Sequence, residues 1–87
     1  MEVLRAAPHE HERWAHWKHG CVYRIVCVSR DEPAPHAVRV AYKREDAPSD
    51  EIPWSRTLED FMSTVPAERV HEELGELVSL PRFRRLP

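Results

Sequence analysis

Glycine is nearly absent: the 87 residues hold only Gly20 and Gly75. A phosphate-cradling loop of the P-loop or GxGxxG type needs several glycines in one stretch, so both are excluded. Cysteine is equally sparse. Cys21 and Cys27 lie in one stretch that reads as a strand, which would hold them roughly 20 Å apart and prevents a disulfide. Free thiols fit a reducing compartment, and no CxxC pair is present for metal or redox work. Long apolar runs are missing too, whereas a bilayer span needs roughly 20 such residues. The opening MEVLRAAPHE does not have the basic-then-apolar order of a signal peptide, so the expected location is the cytoplasm, away from membranes. Finally, no one sign of charge dominates. A formal net charge of −2 argues against a generally basic nucleic-acid binder.

What remains is globular in balance. Hydrophobic residues make up 41% and charged residues 32%, and a chain of this length supports one core and one domain, 1–87. Eight prolines imply short, stiff connections. Protonation of all six histidines takes the formal charge from −2 to +4, so the sign reverses in mild acid.

Along the chain, Pro8 can open a short helix through HEHERWAHW, although that segment has no clean apolar stripe, and 1–19 otherwise reads as a mobile N-terminal segment. The run CVYRIVCVS, from Cys21 to Ser29, is the strongest strand signal. Tyr23, Ile25 and Cys27 share one face and Val22, Val26 and Val28 the other, which predicts a strand covered on both sides or coiled through a small barrel. Pro33 and Pro35 make a turn. Val38, Val40 and Tyr42 then alternate with Arg39 and Lys43, as in a strand with one wet face. IPWSR reads as a third strand with Ile52 and Trp54 inward. Thr57 sits as an N-cap before Leu58, Phe61 and Met62 at helical spacing. Pro66 opens a second helix, AERVHEELGELV, whose Val70, Leu74, Leu77 and Val78 form a stripe against Glu68, Glu72, Glu73 and Glu76. RFRRLP adds a last strand with Phe83 inward. The fold class is mainly β (α+β): a small curved antiparallel sheet or barrel with one or two short helices toward the C-terminus.

Two patches, WAHWKHGCVY at 14–23 and VAYKREDAPSDEIPWSRTLEDF at 40–61, closed by RF at 82–83, resemble a family of small uncharacterised proteins common in bacteriophage and prophage genomes. Its pattern runs WxHxKRGTxYxV, VVY, WxRPxxEF and GRF. Trp14, His16, Lys18, Gly20, Tyr23, Val40, Tyr42, Trp54, Arg56, Phe61, Arg82 and Phe83 match. His19, Cys21 and Thr57 depart from it, and a helical insertion at 66–80 precedes the closing RF. The resemblance implies a β-barrel of SH3-like proportions and a phage-encoded protein acting in its host's cytoplasm; it implies no activity.

Several constellations invite chemistry. His9, His11, His16, His19 and Cys21 cluster in sequence, but HEHERWAH is not HExxH, since Arg13 and Ala15 stand where the second histidine belongs, so no metal site is assigned. A nucleophilic Cys21 would need an electropositive setting that His19 and Lys18 can supply, yet a cysteine on an apolar strand more often packs, and no oxyanion-hole loop accompanies it. The reading is therefore non-enzymatic, with no catalytic residue and no cofactor. Two binding surfaces compete. The acidic helix face of Glu68, Glu72, Glu73 and Glu76 can dock on a basic protein partner, for instance a host or anti-phage defence complex inhibited at its nucleic-acid groove, in the manner of an anti-CRISPR. The alternative is a nucleotide or single-stranded nucleic acid held by Trp14, His16, Lys18, Trp54, Arg56, Arg82 and Arg84.

Overall fold

A computed structural model describes residues 7–32 and 34–87, without the side chains of 31 and 34–36. The organising element is a long antiparallel hairpin of β2 (Val22–Asp31) and β3 (Ala34–Arg44). On one side of it lie β1 (Arg13–His16) and β7 (Phe83–Arg85), and on the other β4 (Trp54–Thr57). The strand order β4-β3-β2-β1-β7 is antiparallel throughout. This sheet is open, with β4 and β7 as its edges, so of the two expected forms the curved sheet is realised and the closed barrel is not.

Register places Trp14, Tyr23, Ile25, Tyr42, Val40 and Phe83 on one face. Helix α1 (Leu58–Phe61) covers the middle of that face with Phe61. Thr57 caps it as the sequence predicts: its Oγ1 accepts from Asp60 N at 3.1 Å, satisfying one of the free donors of the first turn. The core that results is mainly aromatic. Phe61 and Phe83 stack with centroids 4.2 Å apart and planes 4° from parallel. Trp14 meets Phe61 edge-on at 5.2 Å, and Tyr42 meets Phe83 edge-on at 5.4 Å. Large rings close this core with few residues, which suits a chain with so little interior.

The N-terminal segment departs from its expected helix. Arg13–His16 forms a strand held between β2 and β7, with Trp14 and Ala15 both buried, so this part of 1–19 is structural rather than a mobile tail. Pairing on both edges satisfies the backbone, and a tryptophan gains more from the core than a terminal helix without a stripe can offer. Residues 1–6 lie outside the described residues.

β2 also differs. A β-bulge leaves Val26 without a partner between Ile25, paired with Tyr42, and Cys27, paired with Ala41. The extra residue shifts the alternation, so that Val28, not Cys27, comes opposite Val40. Val26 and Val28 stay exposed, and the strand is not covered on both sides as expected. On the outer face Arg13, Arg24 and Lys43 lie side by side. Glu45 takes Arg13 through two contacts at 2.7 and 3.0 Å and Arg24 at 3.3 Å. β3 begins before Pro35, which is tolerated because β4 pairs only with 39–42 and leaves that stretch on an edge. The third strand is shorter than IPWSR, and neither Ile52, 85% exposed, nor Trp54, 63% exposed, is a core residue.

Beyond α1 the chain makes an excursion. β5 (Thr64–Val65) pairs with β6 (Leu80–Pro81), bringing Val65 opposite Leu80, and everything between them stands off the main sheet. It contains α2 (Ala67–Leu74), with Pro66 as its N-cap and Gly75 ending it at φ 79°. The helix therefore stops short of the expected AERVHEELGELV. Only Val70 of the expected stripe is buried, while Leu74, Leu77 and Val78 are exposed.

Candidate functional site

Phe83 is the hub on which the second set of residues converges. Its ring is met edge-on by His16 at 5.2 Å and Tyr23 at 5.9 Å, and the Arg56 guanidinium carbon lies 5.7 Å from its centroid. These positions come from β1, β2, β4 and β7, and antiparallel pairing brings all of them to the inner face beyond the cover of α1. Arg82, next to Phe83, is half-buried, and its backbone is pinned on both sides: its N–H donates to Ser63 O at 2.9 Å and its carbonyl accepts from Trp17 N at 3.1 Å.

Each polar group here is oriented by a neighbour. Arg56 donates from Nε to the Tyr42 hydroxyl at 2.9 Å and forms an ion pair with Asp60 at 2.5 Å. Both bonds hold the guanidinium charged, so its pKa rises although burial opposes this. Arg82 Nε donates to Ser63 Oγ at 3.0 Å, and that hydroxyl donates in turn to Asp60 O at 2.6 Å. His16 Nδ1 accepts from Lys18 N at 3.3 Å. Burial first, then the positive charges of Arg56, Arg82, His19 and Lys18, push the His16 pKa below its ordinary value. Burial, with Cys21 and Tyr42 nearby, raises that of Tyr23, which keeps its hydroxyl protonated.

The remaining members of the proposed nucleotide set scatter. Trp14 is buried, takes Arg85 over its ring at 5.2 Å, and offers no stacking surface. Lys18 forms an ion pair with Glu73 at 3.1 Å. Arg84 is exposed on β7, opposite Ala15 and so on the other face. Trp54 alone stays open for stacking, in a shallow cleft of about 470 Å³ with Arg39, Tyr42, Arg56 and Asp60. The two surfaces that compete in the sequence thus touch in the fold, through Lys18 and Glu73. Tyr23, read in the sequence only as an inward strand residue, belongs to the site; its place beside Phe83 depends on pairings across β1, β2 and β7 that no local pattern encodes.

The acidic residues form a second surface. Glu68 and Glu72 lie one turn apart on α2 and are exposed, and Glu76 follows the helix. Beside them stand Leu74, Leu77 (73% exposed) and Val78, a short apolar run in water. Among the described residues, no three His, Cys, Asp or Glu side chains gather as a metal site. No protein-family model, no curated protein and no solved structure matches the chain.

Proposed function

We propose that this protein is a non-enzymatic binding module that acts by protein–protein interaction, docking through the α2 excursion onto a partner with a basic surface. One observation carries the reading: Leu74, Leu77 and Val78 are exposed together beside Glu68, Glu72 and Glu76. Clustered exposed apolar side chains within a charged rim are a surface that gains by burial against a partner. The acids supply steering and partner choice, while the apolar residues supply contact area. The resemblance to small phage proteins supports a phage-encoded inhibitor acting in the host cytoplasm. Its target would be a host or defence complex with a positive nucleic-acid groove that the acidic rim can occupy.

The experiment is affinity capture from a lysogenic host with wild type, Glu72→Lys and Leu77→Ser. Wild type should retain one stoichiometric partner, and each variant should weaken that capture about tenfold, the loss of one apolar anchor or one close charge contact at an interface. Because both positions are exposed, the melting temperature should hardly move. Capture of the same partner by both variants at undiminished affinity overturns the reading.

A further inference from the structure

We propose that the rim of Phe83 on the inner face of the sheet is a binding site for an oxyanion of the phosphate class, held by the Tyr23 hydroxyl, His16 Nε2 and the terminal nitrogens of Arg82. This site lies off the α2 surface and is independent of the docking assigned to it.

The first argument is what these three groups have in common. They belong to half-buried residues, and among the described residues none of the three meets a hydrogen-bond acceptor. Nor is any of them sealed from solvent. Most neighbouring cations are already neutralised: Arg56 by Asp60, Lys18 by Glu73, and Arg44 by Asp46. Arg82 differs, since its contact is a serine hydroxyl that fixes Nε and leaves two nitrogens forward. A guanidinium held in this way loses little freedom on binding and presents a fork that suits an oxyanion.

The second argument is donor polarity. Because His16 Nδ1 accepts from the Lys18 backbone, the ring's proton sits on Nε2, which makes that nitrogen a donor. Tyr23 remains a protonated hydroxyl. All three forward groups are therefore donors, and the charges felt at His16 are those of cations: Arg56, Arg82, His19 and Lys18. Donors converging in a positive field on an aromatic floor match a compact anion and repel a cation. The shared chemistry is a phosphate group, either as the free ion or as the terminus of a phosphomonoester. In the latter case Trp54, exposed on the same inner face opposite Tyr42, offers a ring for the remainder of the ligand.

The test is an amide and side-chain NMR titration of the full chain with inorganic phosphate and, separately, with adenosine monophosphate, against potassium chloride at equal ionic strength. Saturable shifts at His16, Tyr23 and Arg82 that chloride does not reproduce are expected. Tyr23→Phe keeps the ring against Phe83 and removes only the hydroxyl, and Arg82→Gln removes the fork. Each should weaken binding about 10-fold or more, the worth of one hydrogen bond to a charged group. Equal affinity for the two probes identifies the free phosphate group as what is read. Tighter binding of the nucleotide with quenching of tryptophan fluorescence identifies a phosphomonoester. The proposal is overturned if neither probe gives saturable shifts beyond chloride, or if Tyr23→Phe binds like wild type. That second outcome decides even if Arg82→Gln fails to fold. Glu72→Lys should leave the phosphate response unchanged.

Discussion

His16 carries two duties that oppose each other. Its ring packs edge-on against Phe83, yet Arg56, Arg82, His19 and Lys18 surround it with positive charge. Protonation therefore costs more in the folded chain than in the unfolded one, where the pKa is about 6.5. Between the depressed folded value and 6.5 the unfolded chain binds more protons, so stability rises with pH across that interval and is lost as pH falls through it. Thermal melts at closely spaced pH should show the midpoint dropping as pH falls below about 6.5. His16→Asn, whose Oδ1 can still accept from Lys18 N, should flatten that fall; an unchanged slope would remove His16 as its source. At this scale the sequence is informative about type and silent about partners. Trp14 and Trp54 look alike in a string, but one lies in a doubly paired strand and the other on an edge strand, and only that difference makes one core and the other surface.

At the scale of elements, local chemistry was legible wherever a single residue imposes a backbone state. Thr57 caps α1 through its own side chain, and Pro66 marks the entry to α2. Gly75 is the instructive case. The sequence pattern runs a helix through it, but the residue adopts φ 79° and ends α2 there, which is what a left-handed C-terminal cap does. A Cβ at this position would touch nothing within 4 Å, so Gly75→Ala should cost only the conformational penalty of about 1 kcal/mol, read by urea denaturation. A stabilised variant would mean that the helix continues and the cap is not obligatory. The bulge at Val26 had no local signal. It inserts a residue without a glycine or proline to announce it, and it changes which of Val28 and Cys27 comes opposite Val40.

For the whole molecule, a radius of gyration of 13.7 Å exceeds the roughly 12 Å usual for this length. The extended hairpin and the excursion between β5 and β6 fit that excess. Because Val65 and Leu80 are already opposite each other, the excursion is closed at its base and the sheet does not depend on it for connectivity. Replacing 66–79 with an Asn-Gly turn should leave a cooperatively folding sheet, destabilised by about 2 kcal/mol for the buried Val70 it removes. Capture of the protein partner should disappear and the phosphate response should remain. Loss of cooperative unfolding, followed by calorimetry, would show that α2 is part of the core after all.

The sequence by itself determined the fold class, the β2–β3 hairpin, the cap of α1 and the inward Phe83. Each of these follows from alternation, from a single capping side chain or from a residue's bulk, interactions that act within a few positions of the chain. Tertiary structure alone decided that the sheet stays open, that β1 is a strand, that Leu74, Leu77 and Val78 are left in water, and that His16, Tyr23, Arg56 and Arg82 gather around one ring. Those outcomes depend on which strand lies beside which. Strand neighbours are selected by burial and backbone pairing summed over the whole chain, so no local stretch contains the answer.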